Sequence, residues 1–499
     1  MPGVSRGRDR GALAIVLHTH MPYVEGFGTW PFGEEWLWEA IAGCYLPLLD
    51  LLDDGAPLTL SLTPVLCDQL EADGVSERFA AFVEDVRRHT HEEDATGLRA
   101  AGHDALADEL ERSWRDYEAA LESMRGRGGD LLGAFAGHAQ WTSAATHAVL
   151  PLIASDAAVR LQLRSGVAAH RRRFGDGAPT GAGAPTDGRW RGGLWLPECG
   201  YAPWLDRALE DAGVAAVCVE LTERLGLGAR EHLRPLASES GVALVPIDRS
   251  TISLVWSERG YPASGAYRDY HHHTVHHHNP WSNDGRAYDH LAACALAREH
   301  AADFVARALA RLRDAGEAAR VARDGALPGC GLIVCALDTE LLGHWWYEGA
   351  DWLRAVVEEC ARQGLELVRL DDALERLEPA PAGACVGEQA ISWGSGGDLS
   401  TWSGPAVAEM AFAARAGELA VLAAGARASQ AAVRELLALQ ASDWPFMVSR
   451  EIAVPYAHER FDGHRRRLSL AIAAGEHGDS SALRNLAVDA DRACLLDPS

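Results

Sequence analysis

The chain contains no lysine, so all 46 basic side chains among its 499 residues are arginine. This absence excludes chemistry that needs a lysine amine, including Schiff bases, P-loop phosphate binding and carbamylated-lysine metal bridges. Acidic residues number 71, and the formal charge of -25 argues against nucleic acid and anionic membranes as partners. A neutral polymer is compatible with that charge.

Long apolar runs and paired cysteines are also missing. No stretch reaches the ~18–20 apolar residues that span a bilayer, and the apolar run 12–17 is too short for a signal peptide. The ten cysteines include no Cys-X-X-Cys pair, which is typical of scattered reduced thiols. We therefore expect a cytoplasmic protein that does not contact a membrane.

What the chain does contain is a pair of carboxylates that each follow an apolar strand. Gly193–Pro197 reads as a strand that delivers Glu198, and Leu332–Leu337 reads as a strand that delivers Asp338. Both carboxylates lie close to tryptophans in the sequence. Cleavage of a glycosidic bond needs one acid and one nucleophile or base, and the C–H faces of sugars pack on indole rings. The pattern predicts sugar chemistry.

Apolar strands and helical segments alternate along the first 380 residues, which is typical of a parallel sheet. Polar and aromatic residues follow the strands, where an α/β barrel places its active site. We interpret the charged segment of about 76–130 as a helical insertion and residues 381–499 as a helical C-terminal domain. The predicted strands are 12–17, 58–62, 134–139, 194–197, 215–219, 242–247 with 254–256, and 332–337.

His18 and His20 close the first predicted strand, and two interpretations of them stay open. In barrel hydrolases a His-X-His pair at this place can bind a divalent metal, with His147 and His344 as further ligands. Alternatively, the two histidines hydrogen-bond sugar hydroxyls and tune the pKa of a nucleophile. A second cluster of six histidines within 271–278 is better interpreted as a solvated loop, because contiguous residues cannot all face one ion.

Six blocks of sequence together resemble glycoside hydrolase family 57, and within it the 1,4-α-glucan branching enzymes. The resemblance covers nearly the whole chain. It implies an incomplete seven-stranded (β/α) barrel with a helical insertion and an all-helical C-terminal domain. It also implies a retaining mechanism without a metal or another cofactor. The blocks are His18–Tyr23, Ala145–Leu152, Trp195–Tyr201, Asp338–Trp346, Ser392–Trp402 and Gln440–Phe446.

The resemblance implies a role for each of ten residues. Glu198 is expected to be the nucleophile and Asp338 the acid/base. The implied partner is an α-glucan polymer, whose cleaved chain would be transferred to a 6-hydroxyl in glycogen biosynthesis; the oligomeric state is not indicated. Substrate contacts are expected from His18, His20, His147, Arg268, Gly285, Trp393, Trp402 and Asp443.

The sequence departs from the family in one loop that bears on the branching activity. Branching enzymes of this family carry a long loop, tipped by a tyrosine, over the acceptor side of the cleft. Here the segment from Ala202 to Gly260 contains no tyrosine, and 221–241 is short. The alternative is therefore an α-amylase-like hydrolase that branches weakly. A non-catalytic glucan-binding protein and a metal-dependent deacetylase or amidohydrolase are further alternatives; the two intact carboxylates weigh against the non-catalytic one.

Overall fold

The computed structural model describes residues 11–28, 33–175, 190–321 and 331–495. At its centre lies one curled sheet of ten strands, and a continuous row of seven parallel strands forms most of its width. The strands are β1 Ala12–Thr19, β2 Thr59–Leu62, β3 Ala139–Ser143, β4 Gly193–Trp195, β5 Ala216–Val219, β6 Leu236–Ala237, β7 Ala243–Pro246, β8 Leu332–Asp338, β9 Glu366–Leu367 and β10 Ala380–Pro381.

The seven parallel strands follow the spatial order β7-β5-β4-β3-β2-β1-β8. The longest ladder joins β1 to β8, from Ala12 opposite Leu332 to His18 opposite Asp338. Both strands are buried almost throughout, and strands buried on both faces read as continuous apolar runs. Their register places His18 directly beside Asp338 at the carboxyl edge of the sheet.

The two ends of the sheet curl towards each other. At one end, β6 pairs antiparallel with β7, and β10 pairs with the other edge of β6. Elsewhere in the sheet, the short strand β9 pairs with the start of β1. Just beyond β7, the amide of Asp248 donates to the carbonyl of Val334 in β8 at 2.8 Å. The predicted incomplete seven-stranded barrel is confirmed.

Helices surround the sheet and make up the rest of the regular structure. Helices α4 to α6 occupy the predicted insertion, and after residue 381 the regular elements of the described part are all helical. None of the described helices combines the length and apolarity needed to cross a membrane. In chain order the helices are α1 Glu34–Ala40, α2 Leu46–Asp53, α3 Pro64–Leu70, α4 Val75–Ala81, α5 Arg88–Ala100, α6 Asp104–Gly126, α7 Leu131–Phe135, α8 Asp156–Phe174, α9 Asp206–Asp211, α10 Thr222–Leu225, α11 Arg249–Val255, α12 His290–Val321, α13 Gly349–Gln363, α14 Leu370–Leu374, α15 Ser400–Ser403, α16 Ala408–Ala424, α17 Gln430–Leu439, α18 Asp443–Ser449 and α19 Val454–Ala474.

Two of the predicted strand segments are wrong. In 134–139, the side chain of Asp130 accepts a hydrogen bond from the amide of Gly133 at 2.7 Å and caps α7, so β3 begins only at Ala139. The run 254–256 lies at the end of α11. Short apolar runs do not distinguish a strand from a buried helix, and the local caps decide the outcome here.

The C-terminal helices are hydrogen-bonded to the segment that follows β3. The hydroxyl of Thr146 donates to the carbonyl of Leu437 at 2.6 Å, and the amide of Ser442 donates to the carbonyl of His147 at 3.1 Å. These bonds fix the turn between α17 and α18 against the carboxyl edge of the sheet. They bring Ser442 and Asp443 to the candidate site, while the domain division near residue 380 stays a prediction.

Candidate active site

Glu198 lies on a tight turn just beyond β4. The backbones of Glu198 and Cys199 have φ angles of 61° and 48°, a left-handed conformation that non-glycine residues seldom adopt. Two backbone hydrogen bonds of 2.9 Å hold the turn, one from Cys199 to Leu196 and one from Gly200 to Pro197. Strained backbone of this kind persists where surrounding structure enforces it, commonly at active sites.

Both oxygens of the Glu198 carboxylate accept a hydrogen bond. The indole Nε1 of Trp393 donates to Oε2 at 2.8 Å, and the hydroxyl of Ser442 donates to Oε1 at 2.9 Å. Burial raises the pKa of Glu198, and these two hydrogen bonds oppose the rise because they favour the charged form. Both donors lie in the segment 381–499, so the C-terminal part of the chain holds this carboxylate in place.

Asp338 ends β8 and is the more weakly acidic member of the pair. Burial is the main cause that raises the pKa of Asp338 to about 8, and the charges of Glu340 and Glu198 raise it further. A carboxyl group with this pKa carries its proton at neutral pH. The environments thus separate the pair into a proton donor and a hydrogen-bonded carboxylate, which is the division of roles that acid/base catalysis needs.

Glu340 is a third carboxyl group of the site, partly buried, that the sequence analysis did not single out. The hydroxyl of Tyr45 donates to its Oε1 at 2.7 Å, and the amide of His20 donates to the same oxygen at 3.2 Å. Burial raises the pKa of Glu340 to about 7, against the effect of these hydrogen bonds. The signal in the sequence was its position two residues after Asp338, within the same block.

Three histidines stack beside the carboxylates. The ring centroids of His20 and His147 lie 3.9 Å apart, and the ring of His18 stacks on Trp195 at 4.7 Å. Burial holds the pKa of both His18 and His147 well below the usual range, and neighbouring histidines lower it further. Both rings are therefore neutral at pH 7.

Hydrogen bonds determine which nitrogen of each neutral ring carries the proton. Because the Ser442 hydroxyl donates to Glu198, its oxygen accepts from Nδ1 of His147 at 2.8 Å. The bare Nε2 of His147 then accepts from Nε2 of His18 at 2.9 Å. Nδ1 of His18 is left to accept from the hydroxyl of Ser61 at 3.4 Å. A continuous hydrogen-bonded chain thus runs from Ser61 to Glu198.

His20 and Asp443 form a hydrogen-bonded pair at the edge of this cluster. Nε2 of His20 lies 2.9 Å from Oδ1 of Asp443. Burial disfavours the charged ring and lowers the pKa of His20. The negative charges of three carboxylates have the larger combined effect, so the pKa is raised; they belong to Asp443, Glu340 and Glu198. Oδ2 of Asp443 is buried and has no hydrogen-bond partner among the described residues. That oxygen can accept a hydrogen bond from a bound hydroxyl.

Metal ligation is geometrically feasible at one place among the described residues. Donor atoms of His20, His147 and Asp443 all lie within 4.8 Å of one another. The same side chains already hydrogen-bond each other or their neighbours, as described above. In the cluster 271–278, no three histidines of the described chain form such a group. Four of its six histidines are exposed on a loop, as the sequence analysis expects.

The two predicted tryptophans differ in their surroundings. Trp393 donates to Glu198 and packs edge-on against Trp195, with ring centroids 5.1 Å apart. Trp402 is only 2% exposed, and it packs so close to Gly394 that a Cβ there would lie 2.8 Å from its ring. Trp402 therefore supports the loop that carries Trp393.

Arg268 and Gly285 lie away from the hydrogen-bonded group. Arg268 is paired with Glu109, and its guanidinium lies 3.8 Å from the ring centroid of Tyr347. It lines a cavity of about 380 Å³ between the helical insertion and the segment 343–347, and neither catalytic candidate lines this cavity. Gly285 ends a turn with a φ of 80°. Their predicted substrate contacts stay predictions.

Comparisons with known proteins agree with this architecture. The family model described as glycosyl hydrolase family 57 matches residues 141–382, and the model described as 1,4-alpha-glucan branching enzyme, C-terminal, matches residues 406–490. A 1,4-alpha-glucan branching enzyme of Thermococcus kodakarensis is 30% identical over 92% of this chain and 72% of its own length. A probable 1,4-alpha-glucan branching enzyme of Mycobacterium tuberculosis is 31% identical over 95% of this chain and 94% of its own.

Solved structures extend the similarity to three dimensions. The family 57 branching enzyme of Pyrococcus horikoshii has a TM-score of 0.84 and 28% identity, with 98% of this chain and 97% of that chain covered. An alpha-amylase of Thermotoga maritima has a TM-score of 0.78 at 23% identity, with 98% and 100% covered, and so shares the fold. The chain therefore belongs to glycosyl hydrolase family 57, among its 1,4-alpha-glucan branching enzymes.

Proposed function

We propose that this chain is a retaining 1,4-α-glucan branching enzyme in which Glu198 is the nucleophile and Asp338 is the acid/base. The observation that carries the proposal is geometric: Glu198 lies just beyond β4 and Asp338 ends β8, so both carboxyl groups lie at the carboxyl edge of one parallel sheet. Asp338 holds a proton with a pKa of about 8, while Glu198 accepts hydrogen bonds on both oxygens. A double displacement uses these two states.

In the first step, an oxygen of Glu198 attacks the anomeric carbon of an internal glucose unit. The bond from that carbon to the glycosidic oxygen breaks, and the proton of Asp338 passes to the leaving oxygen. A covalent glycosyl-enzyme and a shortened glucan result. The ester at Glu198 carries no charge, so one of the charges that raised the pKa of Asp338 is gone.

In the second step, the now ionised Asp338 takes a proton from the 6-hydroxyl of another glucan segment. That oxygen attacks the anomeric carbon, the ester bond breaks, and Glu198 is released as a carboxylate. The loss of the Glu198 charge after step one favours this base form of Asp338. Two inversions give retention, and the product is an α-1,6 branch point.

The remaining polar groups of the site would bind and orient the sugar. The unpaired Oδ2 of Asp443 is placed to accept a hydrogen bond from a sugar hydroxyl, while Oδ1 of the same residue is hydrogen-bonded to His20. His18 and His147 are neutral and hydrogen-bonded to each other, which fixes their rings without a metal. Indole surface at Trp393 offers a face for a pyranose ring.

Ser442→Ala is expected to move the acidic limb of the pH profile of kcat/KM to higher pH. The Ser442 hydroxyl favours ionised Glu198, so its loss raises the pKa of the nucleophile, which must be ionised to attack. A hydrogen bond to a charged group contributes about 1.5–3 kcal/mol, and one pKa unit corresponds to about 1.4 kcal/mol. We expect an upward shift of about one to two units, measured on soluble α-glucan.

Two further variants separate this effect from a loss of folding. Ser442→Thr keeps the hydroxyl and should restore the wild-type acidic limb. Ser429→Ala removes another buried serine of the helical domain, where it caps α17 through the amide of Ala432. It should lower the melting temperature and leave the profile in place. An unshifted acidic limb in folded Ser442→Ala would contradict the assigned hydrogen bond.

Purified enzyme incubated with amylose is expected to introduce α-1,6 linkages, with or without prior dialysis against a chelator. Branch points are measured as chains released by isoamylase, and hydrolysis is measured as new reducing ends before debranching. The chain between β5 and β6 comprises only 220–235 and contains no tyrosine. We therefore expect reducing ends to rise alongside the branch points, because water has access to the glycosyl-enzyme.

Each alternative gives a different pattern in this assay. Reducing ends without branch points would indicate the α-amylase-like hydrolase, and activity lost on chelation and restored by zinc would indicate a metallohydrolase. No reaction and only binding would indicate a non-catalytic glucan-binding protein. The curated relatives named as branching enzymes favour branching.

The cellular setting is part of the proposal. The nine cysteines in the described part of the chain are free thiols, which suits a reducing compartment. The formal charge of -25 does not impede a neutral polymer. We place the enzyme in the cytoplasm, acting on a glycogen-type α-glucan.

A further inference from the structure

An exposed tryptophan follows the nucleophile by six residues and lies outside the catalytic group. Trp204 is 59% exposed. It lines an open surface groove of about 670 Å³, together with α9 and the turn between β6 and β7. None of the residues assigned to catalysis lines this groove. Leaving so large an apolar ring in water is unfavourable unless a ligand covers it.

The indole is carried by a rigid piece of backbone. Pro203 precedes it, and Leu205 directly after it is buried in the core. One residue further, Asp206 accepts a hydrogen bond from the hydroxyl of Tyr201 at 2.6 Å. Tyr201 is in turn paired through its backbone with Ile391. A preorganised aromatic face loses little entropy when a ligand stacks on it.

The rim of the groove consists mainly of hydrogen-bond acceptors. It carries carboxylates from α9 and from the β6–β7 turn, one arginine and one serine hydroxyl, contributed by Asp206, Glu210, Asp211, Glu239, Arg207 and Ser240. This excess of negative charge disfavours phosphorylated or otherwise anionic ligands. Carboxylates beside an aromatic face suit a ligand with many hydroxyl donors and no charge. A sugar chain has this chemistry.

We propose that Trp204 and its groove form a second, non-catalytic binding site for an α-glucan chain. The proposal rests on the proposed function, because it takes the glucan as the polymer that the enzyme meets. Six residues of polypeptide span at most about 20 Å, so a glucan chain bound at Trp204 stays near Glu198. Anchoring one part of a polymer raises the effective concentration of its other segments at the cleft. The second site would therefore strengthen the binding of long glucan chains and would not affect the conversion of short ones.

Trp204→Ala is expected to weaken binding of glycogen and amylose roughly threefold to tenfold, the range given by loss of one aromatic stacking contact. Binding is measured by retardation in native gels that contain glycogen. The KM for amylose should rise by a similar factor, while kcat on a short maltooligosaccharide stays at the wild-type value. Trp204→Phe should keep most of the retardation.

Trp256→Ala is the matched control, since Trp256 is 49% exposed and does not line the groove. Equal retardation of the Trp204→Ala and wild-type enzymes would overturn the proposal, as would an equal effect of both tryptophan variants. Sedimentation of the two proteins adds a further test: self-association that disappears in Trp204→Ala, with retardation unchanged, would assign the groove to a second copy of the chain. Wild-type enzyme that neither binds nor converts glucan would instead overturn the proposed function itself.

Discussion

Glu198→Ala is expected to abolish conversion of α-glucan, with kcat reduced roughly 10⁵- to 10⁶-fold, the size of loss seen when a covalent nucleophile is removed. The Glu198 carboxylate is positioned by its backbone turn and by donors from Trp393 and Ser442, so the variant loses a nucleophile that the fold holds in place. The alanine variant leaves a small space next to these donors. Azide supplied with an activated glycosyl substrate should occupy that space.

The product of the azide reaction reports the role of Glu198. Azide that attacks from the nucleophile position inverts the anomeric centre once and gives the β-glycosyl azide. Glu418→Ala removes another buried carboxylate, one in the helical domain that accepts a hydrogen bond from Ser155; this variant should be less stable than wild type and should give no glycosyl azide. An α product from Glu198→Ala would show that the two carboxylate roles are reversed.

Asp338→Ala is expected to lower kcat on α-glucan about 10²- to 10⁴-fold, the contribution of general acid/base catalysis. Wild-type activity requires the protonated acid, so it should be present below the pKa of about 8 and fall as the pH rises through it. In the Asp338→Ala variant this fall in activity at high pH, the basic limb of the pH profile, should be absent. A substrate with an activated leaving group needs no proton, so its first step should remain fast and the glycosyl-enzyme should accumulate.

Azide distinguishes this variant from the first one. It should attack the accumulated glycosyl-enzyme and give the α-glycosyl azide, because two inversions have then occurred. Asp371→Ala serves as the control, since Asp371 is a buried aspartate that accepts from Trp141 at 2.8 Å and should affect stability without removing the basic limb. A basic limb retained in Asp338→Ala would assign it to another group, with Glu340 and its pKa of about 7 as the first candidate.

The sequence by itself determined the class of fold, and it singled out the two carboxylates that we propose as catalytic. Both Glu198 and Asp338 follow runs that are apolar throughout, which is the pattern of strands buried on both faces. Parallel strands place their carboxyl ends on one edge, so order along the chain was enough to predict that the two groups share a site. The strand predicted at 134–139 failed because the cap at Asp130 starts a helix that ends at Phe135, and a turn separates this helix from β3, which begins at Ala139.

Only the tertiary structure decided what surrounds each carboxylate. Ser442 is 244 residues from Glu198 in the chain, and no periodicity relates two such positions. The packing of the helical domain makes that hydrogen bond, just as the fold turns Tyr45 towards Glu340. Protonation depends on burial and on neighbouring charges, which exist only after these segments have met. The sequence therefore predicted which groups would do the chemistry, and the tertiary contacts decided the environment that sets the pKa of each.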